Sequence, residues 1–310
     1  MAKPAALVRF FGAAVTAAHA EQDPAYLGRW LRSFTSVTPE NAMKWEVIEP
    51  ERGRWNWGEA DAIVDAAVKT GKRVRGHPLV WDLQLPPWVR DGSFDAKAME
   101  AVIREHVRTL VSRYKGRVAQ WDVVNEPLEE NGTLTRSVFY QALGERFIDV
   151  AFDEAHRADP QAKLFLNELA AERPGPKQTA LLALVKRLEH RGVPIDGIGL
   201  QNHTNVRDAP TKDDLSATID RFAKLGLKTE ITEMDVGIAP TTSLQAQAAA
   251  YAAAASACAT NRSCTGLTVW GVMDPYSWLG PAVRPLPFGA AGTPKPAAAA
   301  LAGALVKRSG

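Results

Sequence analysis

Residues 118–130 read VAQWDVVNEPLEE, an apolar run that ends abruptly on polar residues. Five apolar side chains precede Asn125 and Glu126, and Pro127 then prevents a strand from continuing. Near-continuous apolar runs are typical of strands that are covered on both faces, as in parallel sheets. The stretch therefore predicts a buried strand with a carboxylate at its carboxyl end.

The rest of the chain alternates between short β-rich runs and longer helical segments. The predicted strands are 8–16, 34–38, 73–81, 118–125, 162–167, 195–201, 228–233 and 265–270. The predicted helices are 25–33, 59–70, 95–115, 136–158, 176–191, 211–225, 243–259 and 293–307. Eight such units in 310 residues predict an α/β fold, a (β/α)8 TIM barrel. A doubly wound open sheet is the alternative, but no glycine-rich phosphate loop follows the first strand.

Composition limits the kinds of partner that the chain can have. A formal charge of +2, from 37 basic and 35 acidic residues, gives no electrostatic reason to expect nucleic acid or an anionic membrane surface. No apolar run approaches the roughly 20 residues of a membrane span. We expect a single domain over residues 1–310, with no appended binding module.

Two features near the ends of the chain allow more than one interpretation. The basic residues Lys3 and Arg9, followed by FFGAAVTAAHA, imitate a secretory signal, although a first buried strand at 8–16 fits the pattern better. Cys258 and Cys264 are close enough in sequence to pair across a short loop, but spacing alone also permits two free thiols.

A second strand ends on carboxylates in the same way as the first. The segment LKTEITEMDV, 227–236, brings Glu233 and Asp235 to the end of the seventh predicted strand. Catalytic groups of a TIM barrel lie at the carboxyl ends of its strands. Retaining glycoside hydrolysis needs two such carboxylates about 5 to 5.5 Å apart, one to protonate the leaving oxygen and one to attack the anomeric carbon. Glu126 and Glu233 are the candidates.

Side chains suited to binding sugars follow the same strand ends. Indole faces can stack on a pyranose and exclude water, and the candidates are Trp45, Trp81, Trp270 and Trp278. Hydrogen-bonding groups are concentrated there as well, namely Asn41, Lys44, His77, Gln84, Asn125, Gln201 and His203. This is more polar surface than a closed barrel rim needs for stability, and it indicates a binding cleft.

Seven motifs in order make the chain resemble glycoside hydrolase family 10, the endo-β-1,4-xylanases, over nearly its whole length. They are FGAAV (11–15), TPENAMKWE (38–46), GHPLVWDLQLPPWV (76–89), WDVVNEP (121–127), GIGLQNH (197–203), ITEMDV (231–236) and WGVMDPYSW (270–278). The first motif also favours a strand over a signal peptide at the N-terminus. The resemblance implies a retaining endo-1,4-β-xylanase, in which Glu126 is the acid/base and Glu233 the nucleophile.

The resemblance implies roles for further residues. His203 and Asp235 would orient Glu233. Substrate would be bound by Glu40, Asn41, Lys44, His77, Gln84, Asn125, Gln201 and the walls Trp81, Trp270 and Trp278. The family pattern also implies a disulfide between Cys258 and Cys264. We expect no cofactor and no metal, xylan or xylo-oligosaccharide as the partner, a monomer, and a secreted or periplasmic location with the leader absent from this chain.

The chain departs from the family pattern at two places. Asp82 stands where the family commonly has His, and Glu168, Leu169 and Ala170 stand where it commonly has Asp-Tyr-Asn. The first change adds an anion near the glycone wall, and the second removes an aromatic from the expected leaving-group side.

Three hypotheses stay open: a xylanase, a glycosidase acting on another β-1,4-glycan or on short xylo-oligosaccharides, and a non-catalytic carbohydrate-binding or protein-binding barrel.

Overall fold

A closed ring of parallel strands forms the centre of the fold. The structure is a computed structural model and describes residues 10–239 and 241–305. Its strands are β1 (Phe10–Val15), β2 (Ser36–Pro39), β3 (Arg73–Gly76), β4 (Val80–Trp81), β5 (Gln120–Asn125), β6 (Lys163–Glu168), β7 (Gly197–Leu200), β8 (His203–Asn205), β9 (Lys228–Gly237) and β10 (Cys264–Val269). The ring runs β10, β1, β2, β3, β5, β6, β7 and β9, and β9 pairs with β10 to close it. The predicted (β/α)8 TIM barrel is therefore confirmed.

Helices surround the ring and connect successive strands. They are α1 (Ala17–Gln22), α2 (Pro24–Ser33), α3 (Trp45–Ile48), α4 (Gly58–Lys69), α5 (Pro87–Arg90), α6 (Ala96–Arg113), α7 (Val138–Leu143), α8 (Arg146–Ala158), α9 (Pro176–His190), α10 (Lys212–Ala223), α11 (Leu244–Thr260) and α12 (Pro296–Leu305). Within the described ranges, none of these helices has the length and apolar character to cross a membrane.

Several predicted boundaries were wrong for local reasons. The helix predicted at 136–158 is two helices, because Gly144 adopts a φ of 59° at the end of α7. The strand predicted at 73–81 is divided into β3 and β4, which both pair with β5. The strand predicted at 8–16 contains β1, which pairs with β2 and β10; its positions 8 and 9, and positions 306 and 307 of the last predicted helix, lie outside the described residues.

Two barrel glycines leave room for large or polar side chains in the interior. A Cβ atom on Gly76 would lie 2.1 Å from the Trp121 ring, and one on Gly199 would lie 2.1 Å from Oδ1 of Asn167. Both Trp121 and Asn167 are fully buried. Because interiors are close-packed, a methyl group at either glycine must displace its neighbour. Gly199 thus helps to place Asn167, which lies at the functional end of the barrel.

A disulfide joins the end of α11 to the start of β10. Cys258 and Cys264 are bonded and their Cα atoms are 5.0 Å apart, so the pairing implied by the family resemblance is confirmed. The bond closes a short loop between two elements that pack in the barrel wall.

Replacing both cysteines by Ala is expected to lower the free energy of unfolding by about 2 kcal/mol, because the unfolded chain loses a short-loop constraint. For a chain of this size the change corresponds to a fall in Tm of about 3 °C. Calorimetry of the Cys258→Ala, Cys264→Ala variant measures it, with reduced wild-type protein as the control. A variant that melts at the wild-type temperature would contradict the prediction.

Candidate active site

A cleft opens at the carboxyl ends of the strands, where the sequence predicted the functional residues. Its volume is about 350 Å³, and its lining is Lys44, His77, Trp81, Leu83, Gln84, Asn125, Glu126, Leu169, Gln201, His203, Glu233, Trp270 and Trp278. The structure brings together all the predicted site residues in this lining except Glu40, Asn41, Trp45 and Asp235. Leu83 and Leu169 were not predicted as site residues.

Glu126 follows β5 immediately, so the predicted position of a carboxylate at the end of this strand is confirmed. It accepts hydrogen bonds from Nε1 of Trp81 at 2.9 Å and from Nε2 of Gln201 at 2.7 Å. Both donors are neutral groups. Its φ of 52° is unusual for a residue with a side chain, and strained backbone of this kind is concentrated at functional sites. The fold thus holds Glu126 in the cleft wall at a conformational cost.

Glu233 and Asp235 lie inside β9, which continues to Gly237, rather than at the end of a strand as predicted. Residues two apart in a strand point to the same face, so both carboxylates meet His203. Nε2 of His203 donates to Glu233 at 3.2 Å and Nδ1 donates to Asp235 at 2.9 Å. Asp235 also accepts a hydrogen bond from Nε1 of Trp278 at 2.8 Å. A cationic imidazole is therefore held between two buried carboxylates.

The surroundings of Glu233 favour its ionised form. Burial raises the pKa of this carboxyl. The charge of His77, together with the hydrogen bond and the charge of His203, lowers the pKa by more than burial raises it, so the net shift is downward. For His203, burial lowers the pKa, while its hydrogen bonds to Asp235 and Glu233 raise it to about 10. Glu233 is thus an anion held beside the cationic His203.

The charge of His203 should depend on Asp235. Because the folded pKa of His203 is raised above its ordinary value of 6.5, its pairing stabilises the fold fully below about pH 6.5, and this contribution is lost as the pH rises towards 10. In Asp235→Asn, we expect His203 to lose its proton at a clearly lower pH. NMR titration of its ring carbons measures this, with Asp65→Asn, at an exposed α4 carboxylate, as the control. A neutral His203 at pH 8 in the wild-type protein would contradict the prediction.

A buried charge network lies behind Glu233, and three of its members, Arg75, Asp122 and Glu230, were not predicted from the sequence. Arg75 donates from Nε to Asp122 at 2.9 Å and from a guanidinium Nη to Glu230 at 2.5 Å. Asp122 in turn lies 2.9 Å from Nδ1 of His77, which is 3.8 Å from Glu233. All these side chains are buried. The charged Asp122 within the apolar run WDVVN was the signal that could have identified this network.

Asn125 connects the two carboxylates through shared amides. Its Oδ1 accepts from Nδ2 of Asn167 at 2.8 Å and from Nε2 of Gln201 at 3.3 Å. Asn167 also donates to Glu233 at 2.6 Å, while Gln201 also donates to Glu126. Asn167, on β6, was not predicted as a site residue, because an Asn at the end of one strand carries no signal until its neighbours in space are known.

The remaining predicted amides, Asn41 and Gln84, hydrogen-bond to Lys44 and to Glu46 respectively. Oδ1 of Asn41 accepts from Nζ of Lys44 at 2.8 Å, and Gln84 donates to Glu46 at 3.0 Å. Burial lowers the pKa of Lys44, while the charges of Glu233, Glu40 and Glu126 raise it. Lys44 therefore lies within the electrostatic field of both cleft carboxylates.

The tryptophans have different surroundings. Trp278 is 56% exposed at the cleft rim, whereas Trp270 is almost fully buried, with its ring 5.0 Å from that of His77. The prediction that Trp45 binds sugar was wrong. Its ring is 3% exposed, is stacked at 3.7 Å on the ring of His106, and donates from Nε1 to Glu49. Trp45 therefore belongs to the core between the helices.

The two departures from the family pattern lie on one side of Glu126. Glu168 is fully buried and pairs with Lys177 at 3.1 Å. Burial raises the pKa of Glu168 to about 7, although the charge of Lys177 opposes the shift. Burial also raises the pKa of the half-buried Asp82, and the charge of Glu129 adds to that effect.

Residues 10–239 and 241–305 contain no group of three or more His, Cys, Asp or Glu side chains that could hold a metal ion.

Comparisons with known proteins agree with this geometry. The model of glycosyl hydrolase family 10 matches residues 2–304. An endo-1,4-beta-xylanase 1 of Gibberella zeae is 40% identical over 288 residues, which are 90% of this chain and 81% of that protein. An endo-1,4-beta-xylanase A of Fusarium oxysporum f. sp. lycopersici is 38% identical over 288 residues, 90% of this chain and 88% of that protein.

Solved structures give the same result for the fold. Native xylanase 10B from Thermotoga maritima superposes with a TM-score of 0.91 at 36% identity, covering 96% of this chain and 94% of that chain. Xylanase 10B from Thermotoga petrophila in complex with xylobiose gives a TM-score of 0.92 at 36% identity, with the same coverage. The barrel, the cleft with its two carboxylates and the whole-length family match lead to one conclusion: this chain belongs to glycosyl hydrolase family 10.

Proposed function

We propose that this protein is a retaining endo-1,4-β-xylanase, which hydrolyses internal bonds of xylan through a covalent glycosyl-enzyme. The observation that carries the proposal is the contrast between two carboxylates in one cleft. Glu233 is hydrogen-bonded to the cationic His203 and lies 3.8 Å from His77, whereas both hydrogen-bond donors of Glu126 are neutral. Double displacement needs one carboxylate that stays ionised and another that gives and takes a proton.

The proposed steps use these two groups in sequence. Glu233 attacks the anomeric carbon while Glu126 protonates the leaving oxygen, and the glycosidic bond breaks. Water then attacks the glycosyl-enzyme, Glu126 takes its proton, and Glu233 is released as a carboxylate. His203 and Asp235 would orient Glu233, and the shared amide of Asn167 would keep it aligned.

Substrate binding is proposed for the rest of the cleft. Lys44, His77 and Gln84, with Asn41 and Glu40 behind Lys44, would bind the glycone sugars. The walls would be formed by Trp81, Trp270 and Trp278, with Gln201 beside Glu126. Because Oδ1 of Asn125 already accepts two protein hydrogen bonds, its amide nitrogen can serve the sugar 2-hydroxyl, a contact that strengthens as the transition state develops.

Location and assembly follow as proposals from the same function. We propose a monomer that works outside the cytoplasm, where its polymeric substrate occurs. The Cys258–Cys264 disulfide supports this, because such bonds persist in oxidising compartments.

Initial rates on soluble xylan, carboxymethyl cellulose and mannan test the proposal, with the Glu126→Ala, Glu233→Ala double variant as background. We expect rapid cleavage of xylan alone, with an early fall in viscosity because internal bonds are cut. Comparable rates on cellulose or mannan would contradict the substrate assignment. Binding of all three without cleavage would instead support a non-catalytic barrel.

A further inference from the structure

A second cavity lies beside the cleft, on the side of Glu126 away from the glycone residues. Its volume is about 240 Å³, and its lining includes Trp81, Leu83, Glu126 and Leu169, which it shares with the cleft, but not Glu233. We call it the leaving-group cavity. Under the proposed function Glu126 protonates the leaving oxygen, so the sugar that departs must lie next to Glu126 in this cavity.

The charges in the wall of the leaving-group cavity are mainly negative. Asp82, Glu129 and Glu130 lie there together with one lysine, Lys177. The ammonium of Lys177 is 3.1 Å from Glu168 and 3.8 Å from Glu130, and its side chain is only 8% exposed. Two carboxylates therefore already compensate its charge before any substrate arrives.

Asp82 and Glu129 lack an ion pair of this kind, although Asp82 accepts a hydrogen bond from the backbone N–H of Val138 and Arg136 lines an adjoining cavity together with Glu129. Neither has an ion-pair partner among residues 10–239 and 241–305. Asp82 is half-buried, and Glu129 is exposed. The two carboxylates also repel each other: burial raises the pKa of Asp82, and the negative charge of Glu129 raises it as well. A further anion brought into this cavity would meet repulsion from both.

The rest of the wall is mostly apolar, and Thr135 contributes the one hydroxyl group among its described residues. Leu83 is 57% exposed, and Leu169 stands where the family commonly has Tyr, so both contribute apolar surface without a hydrogen-bond donor. A uronate that entered here would lose part of its hydration and gain no new cation. A neutral sugar would not face this cost.

We propose that Asp82, assisted by Glu129, makes the leaving-group cavity discriminate by charge against a xylose that carries a uronic acid. Xylan decorated with such acids would then be cut only where the sugar next to Glu126 is unsubstituted or neutral. The inference rests on the proposed function, because the cavity is assigned to the leaving sugar through the role of Glu126.

Two matched substrates test the proposal: 4-O-methylglucuronoxylan and the same polymer with its carboxyl groups reduced to alcohols. The sugar at the new non-reducing end of each product occupied the leaving-group cavity, so mass spectrometry and NMR of the products report its decoration. We expect decorated xylose at that end at least about fivefold less often from the acidic polymer than from the reduced one. Two unit charges of the same sign about 4 Å apart in water repel by about 1 kcal/mol, which corresponds to roughly that factor.

Variants separate charge from shape. Asp82→Asn should raise the acidic products that begin with decorated xylose about fivefold, and Glu129→Gln should raise them less, because the exposed Glu129 is better screened. Asp91→Asn removes an exposed carboxylate that pairs with Arg90 and lines neither cavity, and it should change nothing. If Asp82→Asn fails to fold, the exposed Glu129→Gln still carries the test.

Different outcomes overturn different statements. If decorated xylose occurs at the new non-reducing end equally often with the acidic and the reduced polymer, the proposed charge discrimination is overturned. This holds whether both decorated sugars enter the cavity or both are excluded by size. The proposed function would stand. Products from Asp82→Asn and Glu129→Gln that match the wild-type pattern would also overturn it. No cleavage of any xylan would contradict the proposed function itself, and the inference would fall with it.

Discussion

Glu233→Ala is expected to lower xylan hydrolysis by about 10⁴-fold or more, and sodium azide is expected to restore turnover of an aryl β-xylobioside. Removing the side chain opens space at the position of the nucleophile, next to the cationic His203, where a small anion can bind. Azide would attack from that side of the sugar, so the product should be the inverted, α-configured glycosyl azide. Proton NMR of the anomeric signal identifies it.

Two results would count against this role of Glu233. The first is azide that restores nothing in a variant shown by its melting curve to be folded. The second is a rescued product that retains the β configuration. Either would mean that attack does not come from the position of Glu233, although both carboxylates line the same cleft.

Glu126→Ala should have a different signature. Xylan hydrolysis should fall by about 10² to 10⁴-fold, because the poor leaving group no longer receives a proton. A dinitrophenyl β-xylobioside needs no proton on its leaving group, so formation of its glycosyl-enzyme should be much less affected. Azide should then attack the glycosyl-enzyme from the face that Glu126 served, and the product should be the retained, β-configured azide.

The stereochemistry of the two variants makes each the control for the other. An inverted azide from Glu126→Ala would exchange the roles of the two residues. An equal loss on xylan and on the dinitrophenyl substrate would mean that Glu126 positions substrate rather than transferring a proton.

The sequence was sufficient for the fold because apolar periodicity and strand-helix alternation are local properties. All eight predicted strands and all eight predicted helical segments overlap an element of the structure. Glu126 lies at the end of β5 because Pro127 stops the strand there. The errors are also local in origin: Gly144 ends a helix that the apolar pattern continued, and β9 extends beyond Glu233 because β8 pairs with it.

The sequence also determined most of the cleft, since parallel strands place their carboxyl ends at one side of the barrel. Only the tertiary structure decided the partners of each side chain. Trp45 became core because α6 brings His106 over its ring, and Asn167 became part of the site because Gly199 leaves it room. Hydrogen bonds and charge effects depend on distances across the barrel, and such distances between residues far apart in sequence exist only after the ring has closed.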